Sequence, residues 1–280
     1  MTIKIITVVK DDLLGLKRTE RSISGQSKRV SWIVVTPDDG SVTFDYVKGL
    51  SRQGIVEEII LDTHVGIYPA MNQAIASSTG QDWLWFLNAG DELANVNSYE
   101  LVQKYGQSSN NAWMYGGYIL SSPSGNIIGR VKPPQKFKPS NQLFAKNIIS
   151  HQSTIFLAKF LQDLGGFKSN LKIAADWDLM VRASELGPGL RIPESLSIFY
   201  MGGASTVNRQ IGNYELFQIR KIHLGSKYAI KNYWWFGYRM LRNYCIRSIE
   251  KKFPRFLDYV RKVRHKFKLQ TVSRLLSRDL

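Results

Sequence analysis

Cysteine is almost absent from this chain. Cys245 is the only one in 280 residues, which excludes an intrachain disulfide and a thiolate metal cage and fits a reducing compartment. Long apolar runs are absent as well. No uninterrupted stretch approaches the roughly 18–20 residues needed to span a bilayer, so the sequence reads as soluble or surface-bound. The opening residues, MTIKIITVVKDD, lack the basic start, long apolar stretch and small-residue cleavage site of a signal peptide. There is no internal repeat and no low-complexity tract. Apolar residues make up 44 % of the chain, which excludes general disorder and suits a packed core.

Acid is scarce in one place only. From Glu215 to Leu280 there are 17 Lys/Arg against 4 Asp/Glu, whereas the preceding 214 residues hold 21 against 18. The formal charge of +16 therefore belongs mostly to the last quarter. A nearly neutral body carries a strongly basic tail, and only the tail calls for a special electrostatic partner.

The body alternates two kinds of segment. Ile3–Val9, Ser31–Thr36, Ile55–Leu61 and Asp82–Leu87 are short, rich in β-branched and aromatic residues, and bounded by Gly, Pro, Asp or Asn, so they predict strands. Asp12–Ser24 and Tyr68–Ser78 carry apolar residues at helical spacing. Strands alternating with helices predict an α/β domain with a mainly parallel sheet, in which ligands gather beyond the carboxyl ends of the strands. Past residue 95, Trp113–Leu120 and Gly125–Val131 read as a hairpin joined through Ser-Pro-Ser-Gly. Ser153–Phe167 reads as a strand followed by a short helix stopped at Gly165-Gly166, and Ala174–Gly187 as a helix opened by acids.

The fourth strand ends abruptly: WLWFL runs into Asn88-Ala89-Gly90-Asp91-Glu92. An ordinary turn with Asp91 or Glu92 capping the next element is one reading. A carboxylate held at the ligand edge of the sheet is the other. Further along, Asp176 in AADWDL is either a helix N-terminal acid or an acid at work on a ligand. Asp38-Asp39-Gly40 is equally a turn or a pair of acceptors for a ligand.

With these segments in order, the sequence resembles the family 2 glycosyltransferases of the GT-A, Rossmann-like fold. Within them it is similar to the subgroup that builds bacterial surface polysaccharides (O-antigen, capsule, exopolysaccharide), including enzymes of the colanic-acid fucosyltransferase type. The resemblance covers about residues 3–207. It rests on IITVV at the start, GIYPAMNQAIASSTG (Gly66–Gly80), FLNAGDEL (Phe86–Leu93), HQSTIF (His151–Phe156), LGGF (Leu164–Phe167), IAADWDLMVRA (Ile173–Ala183) and MGGAST (Met201–Thr206).

This resemblance implies a sugar transfer from a UDP- or GDP-linked nucleotide sugar, with inversion. A divalent cation (Mg or Mn) would be held by Asp91 and neutralise the departing diphosphate. Asp176 would be the base that takes the acceptor hydroxyl's proton. Thr7, Val8 and Val9, Asp38 or Asp39, His64, Gly66, Asn72 and Asn88 would bind the nucleotide sugar, and His151 and Gln152 would line the acceptor cleft. Met201–Thr206 would be a flap over the donor or a plain turn. Several positions depart from the family's pattern: His64 and Pro69 stand where Asp is usual, and Ala175 where a Glu commonly precedes the base. Asn88, Ala89 and Gly90 leave Asp91 as the single clear cation ligand. This sparseness of acids leaves a non-catalytic GT-A-like binding or assembly module as the alternative.

The tail, placed at 212–280 with the catalytic domain at 1–211, interleaves Lys/Arg with Trp, Tyr and Phe. Phe256, Tyr259, Val260, Val263 and Phe267 fall at helical spacing, and Pro254 interrupts any single long helix. No nucleic-acid-binding signature accompanies it, so nucleic acid is not the expected partner. An anionic membrane surface is, since each Lys or Arg near it contributes on the order of 1 kcal/mol, and interfacial aromatics suit it. By resemblance, the acceptor is a glycan on a polyprenyl diphosphate. The expected location is therefore cytoplasmic, peripheral on the inner face of the cell membrane.

Overall fold

The structure is a computed structural model that describes residues 1–137, 149–203 and 208–225, with isolated residues between 237 and 248. The chain divides into two units, Met1–Leu224 and Gly225–Leu280. The first unit takes in a helix, Arg209–Leu224, that the sequence assigned to the basic tail. Of the second unit, Tyr238, Leu241 and Tyr244 are helical and exposed. The remaining tail positions on which the membrane expectation rests, among them Trp234, Trp235 and Phe256–Phe267, lie outside the described residues. No helix among the described residues is long and apolar enough to cross a membrane.

The first unit opens as the sequence predicts. Strands β1 (Ile3–Val8), β2 (Ser31–Thr36), β3 (Glu58–Leu61) and β4 (Trp83–Phe86) alternate with helices α1 (Leu13–Ser24), α2 (Val42–Arg52) and α3 (Ile67–Ser77). These strands pair in parallel in the order β3-β2-β1-β4. The sheet then continues through β8 (Thr154–Leu157), β6 (Trp113–Ser121), β9 (Leu190–Tyr200) and β5 (Glu92–Leu93), with β7 (Ile127–Val131) on β6, mostly antiparallel. The β6–β9 pair is the parallel exception in this half. The remaining helices are α4 (Ser98–Gln107), α5 (Ala158–Asp163), α6 (Ala175–Leu186) and α7 (Arg209–Leu224).

Strand alternation sorts the apolar side chains into two layers, because successive residues point to opposite faces. Ile5, Trp32, Val34 and Trp85 meet Leu16 and Ile23 of α1, Val47 and Leu50 of α2, and Val102 of α4. Their neighbours Ile6, Ile33, Val35, Leu84 and Phe86 meet Met71 and Ile75 of α3, Leu161 of α5, and Leu179 and Met180 of α6. Burying each such side chain contributes about 1.5–3 kcal/mol. With both faces covered, the strands' carboxyl ends are left as the edge where polar groups collect.

Helix starts are fixed locally. Asp12 accepts the amide of Gly15 to cap α1, and Ser41 accepts that of Phe44 to cap α2. Asn72 of α3 both donates to the Phe167 carbonyl (2.7 Å) and accepts from the Phe167 amide (2.8 Å), latching the Gly165-Gly166 turn to the sheet's helical layer. Gly166 sits at φ +63°, and a Cβ there would fall 2.4 Å from Asn72 Oδ1, so both its conformation and the close approach require glycine.

Candidate active site

Four strands deliver their ends to one edge: Val8 at the end of β1 and Val9 after it, Asp38 and Asp39 after β2, Asp62–Gly66 after β3, and Asn88–Asp91 after β4. The last of these is the best-built. Thr19, fully buried on α1, donates its hydroxyl to the Asp91 carbonyl (2.7 Å) and accepts from the Gly90 amide (3.0 Å). Gly90 adopts φ +96°, where an L side chain is strained, and packs against Gly15 of α1. The turn is thus pinned from behind, which turns the Asn88 and Asp91 side chains toward the 3-10 turn at His151–Ser153.

Asp91 is 6 % exposed. Its Oδ2 accepts from Gln152 Nε2 (2.8 Å) and its Oδ1 from the Tyr200 amide (3.2 Å). Burial pushes its carboxyl up to about 6, against the pull of these hydrogen bonds and of Arg18. Arg18 lies over the Tyr200 ring, 4.1 Å from the ring centroid.

Asp176 stands in the first turn of α6 and is reached from three sides. Oδ1 accepts from the Trp177 amide (2.9 Å) and, more loosely, from the Tyr68 hydroxyl (3.4 Å). Oδ2 lies 3.3 Å from His151 Nδ1. His151 Nε2 in turn lies 3.1 Å from Asn88 Nδ2. Burial, and then the Asp176 charge, push the Tyr68 phenol well above its ordinary value, so that it remains a donor. Tyr68 also donates to the Ile173 carbonyl (2.9 Å). On the far side, Glu215 of α7 gathers the amides of Lys172, Ile173 and Ala174 at 2.7–2.9 Å, fixing the strand of chain that leads into Asp176.

His151 and Gln152 therefore bridge the two acids: one neighbours Asp176, its successor holds Asp91. They were expected to line the acceptor cleft; His151 stands beside Asp176, whereas Gln152 is turned to Asp91. Gln152 is only 3 % exposed and its amide is taken up by Asp91, while the Ser150 hydroxyl donates to its Oε1. Thr7 also differs from expectation: it is wholly buried, donating to the Leu87 carbonyl (2.8 Å) and accepting from the Trp32 indole (3.0 Å), so it joins β1 to its neighbours. Asn72 is spent on Phe167, as described above. Val9 is buried, and Val8 is partly buried against the α3–α6 layer.

Asp38 and Asp39 are exposed beyond β2, where hydrogen bonds from Ser41 hold the Asp39 carboxyl below its ordinary value. His64 is exposed, its amide on Asp62 Oδ1 (2.9 Å). Gly66 opens α3 with no side-chain cap. Asp178 turns inward, away from the site: it is fully buried with Lys168 (2.7 Å) and Arg182 (2.6 Å). Of the possible flap, residues 204–207 lie outside the described residues.

Among the described residues no group of three or more His, Cys, Asp and Glu side chains is arranged to hold a metal ion. A smaller oxygen set is present. Asn88 Oδ1 is buried without a hydrogen-bond partner among the described residues, on the same turn as the buried Asp91 carboxylate. Each Asp91 oxygen keeps a lone pair beyond its one hydrogen bond. These are hard donors of the kind Mg²⁺ or Mn²⁺ takes, and Mg²⁺ is commonly held by one or two protein carboxylates, with water and substrate phosphate completing the shell. In donor type, these two residues fit such a cation.

No family model matches the chain. An uncharacterized glycosyltransferase of Mycobacterium tuberculosis is 30 % identical over 189 residues, covering 65 % of this chain and 69 % of that one. A PGL/p-HBAD biosynthesis glycosyltransferase of Mycobacterium bovis is 29 % identical over 154 residues, 53 % of this chain and 57 % of that one. Among solved structures, residues 1–349 of S. aureus TarS in complex with UDP-GlcNAc superpose with a TM-score of 0.58 at 12 % identity, over 79 % of this chain and 65 % of that one. The mannosyltransferase PcManGT from Pyrobaculum calidifontis, in complex with GDP-Man and Mn²⁺, gives 0.57 at 14 % identity, over 79 % of this chain and 64 % of that one. The chain thus spans just under two thirds of each of these two solved structures. At these identities the likeness concerns the fold, a GT-A-like sheet flanked by helices.

Proposed function

The chain belongs to the glycosyltransferases, and on that footing we propose that it moves one sugar, with inversion, from a UDP- or GDP-linked donor to a lipid-linked glycan. The product would feed a bacterial surface polysaccharide. The observation that carries this reading is the chain of contacts Asn88–His151–Asp176 running beside Gln152–Asp91 at the carboxyl edge of β4. It supports two stations side by side, one for the departing diphosphate and one for the attacking hydroxyl.

In this reaction the acceptor oxygen forms a bond to the anomeric carbon as the bond to the diphosphate breaks. The electron pair leaves on the diphosphate oxygen, and the acceptor's proton passes to Asp176. Oδ1 of Asp176 already accepts from Trp177 and Tyr68, whereas among the described residues Oδ2 has only His151 beside it, so Oδ2 is the oxygen with a lone pair open to the hydroxyl. Asp91 and Asn88 Oδ1 would hold a divalent cation, which supplies positive charge against the leaving group. The exposed end of β2, with Asp38 and Asp39, and the uncapped start of α3 at Gly66 and His64 are the open polar ground on which the nucleotide would sit.

The test is release of nucleoside diphosphate from a panel including UDP-GlcNAc and GDP-mannose, with and without Mg²⁺ or Mn²⁺. The reading predicts release from at least one donor that rises with the cation. A panel without release, from protein that still binds a nucleotide sugar, would leave a binding module in place of a transferase.

A further inference from the structure

Asp176 sits at a helix start, and a first-turn carboxylate that is free to rotate would spend part of its time on the amides around it. Trp177 already draws one of its oxygens inward. Something must keep the other presented. The residue in position is His151, whose side chain is 16 % exposed and lies between two neighbours of different character. Asp176 Oδ2, at 3.3 Å from Nδ1, can only accept while it is ionised. Asn88 Nδ2, at 3.1 Å from Nε2, can only donate. The two neighbours select one neutral tautomer: Nδ1 carries the proton and Nε2 is bare. Imidazole orientation and tautomer are set together in this way by the partner on the second nitrogen.

We propose that His151 is the positioning residue of the base: its Nδ1–H, fixed from behind by Asn88, holds Asp176 Oδ2 presented to the acceptor hydroxyl. The inference rests on Asp176 being the base. It also joins the two halves of the site, because Asn88 shares the β4 turn with Asp91, and Gln152, the residue after His151, holds the Asp91 carboxylate. The dipeptide is a gauge that sets the distance between leaving-group station and base. A misplacement of about 1 Å at such a point costs on the order of 10²-fold in turnover.

Two substitutions separate the nitrogens. His151→Asn puts an amide N–H where Nδ1 stands and leaves the Nε2 position empty, whereas His151→Gln extends its amide to the Nε2 position and leaves Nδ1 without a counterpart. With the donor of the panel that wild type turns over, H151N is expected to keep measurable release. H151Q should lose it on the order of 10²-fold in kcat, with KM for the donor unchanged. Equal activities, H151Q above H151N, or a loss that appears in KM alone would overturn the proposal.

A second measurement needs no substrate. Two-bond ¹H–¹⁵N correlation spectra of ¹⁵N-histidine-labelled protein, with His151 assigned as the signal that persists in each of the variants His64→Gln, His223→Gln and His265→Gln, should show Nδ1 protonated and Nε2 bare. A bare Nδ1 would overturn it even if both variants failed to fold. Failure of the underlying reading looks different: Asp176→Asn would then retain release, whatever the tautomer of His151.

Discussion

At the scale of single residues, Asp91 carries a testable electrostatic burden. Its folded carboxyl titrates at about 6 and an unfolded aspartate at 3.8. Between those values the unfolded chain has released its proton while the folded one keeps it, so raising the pH favours unfolding. The stability linked to this group is present below pH 4 and lost as pH rises through 6. Roughly two pKa units correspond to about 3 kcal/mol. In metal-free buffer, the stability difference between wild type and Asp91→Asn should therefore fall by about 3 kcal/mol from pH 4 to pH 7, measured by urea unfolding. A difference that stays level would mean that burial does not set this carboxyl. A bound cation repays the same desolvation, so Mg²⁺ or Mn²⁺ should raise the melting point of wild type at pH 7 and leave that of Asp91→Asn unmoved.

At the scale of elements, α7 matters more than its place in the sequence suggests. Leu216 and Ile219 are buried against Ala174 and Val181, and Glu215 serves three consecutive amides ahead of α6. Glu215→Gln keeps the shape but loses the charge and turns an N–H₂ toward a donor. A cost of about 2 kcal/mol is expected, which is roughly 4–8 °C in melting point. Turnover should fall with it while nucleotide binding stays, because the loop it holds leads to Asp176. An unchanged melting point would remove Glu215 from this role.

The sequence made β1 to β4, the β6–β7 hairpin, β8, α5 and α6 readable, and left α2, α4, β5 and β9 unread, for physical reasons. β1, β2 and β4 were legible because both of their faces are buried, which leaves dense runs of β-branched and aromatic residues bounded by polar turns. α2 was missed although Phe44, Val47 and Leu50 line its inner face, because an exposed Val42 and the internal Gly49 blur the stripe. β9 was missed because Pro193 and Glu194 interrupt it, where it shifts register against β6. In the site, Asp91 and Asp176 were legible as acids after a strand and at a helix start. Thr19 and Glu215 were not, since their contacts are made about 70 and 40 residues away in the chain. Thr7 and Asn72 were read as ligand contacts because nothing in a sequence tells that a hydroxyl or amide is already satisfied within the fold.

At the scale of the whole molecule, a nearly neutral glycosyltransferase body precedes a segment of very different charge. We propose that the segment after Leu224 keeps the body on an anionic surface where lipid-linked acceptor is concentrated. Full-length protein should cosediment with vesicles containing phosphatidylglycerol at low salt and be released as salt rises, since surface charge is screened within about 8 Å at physiological ionic strength. Equal binding to neutral vesicles, or none at low salt, would count against it. In these proposals the tail would decide where the enzyme works and the site at the end of β4 what it does. The most direct measurement of the latter is nucleotide release by Asp176→Asn beside its thermal stabilisation by the same donor. Release lower by 10²-fold or more, about the share that general-base catalysis contributes, with stabilisation equal to wild type, is the outcome expected. Release at the wild-type rate would contradict the account at its centre.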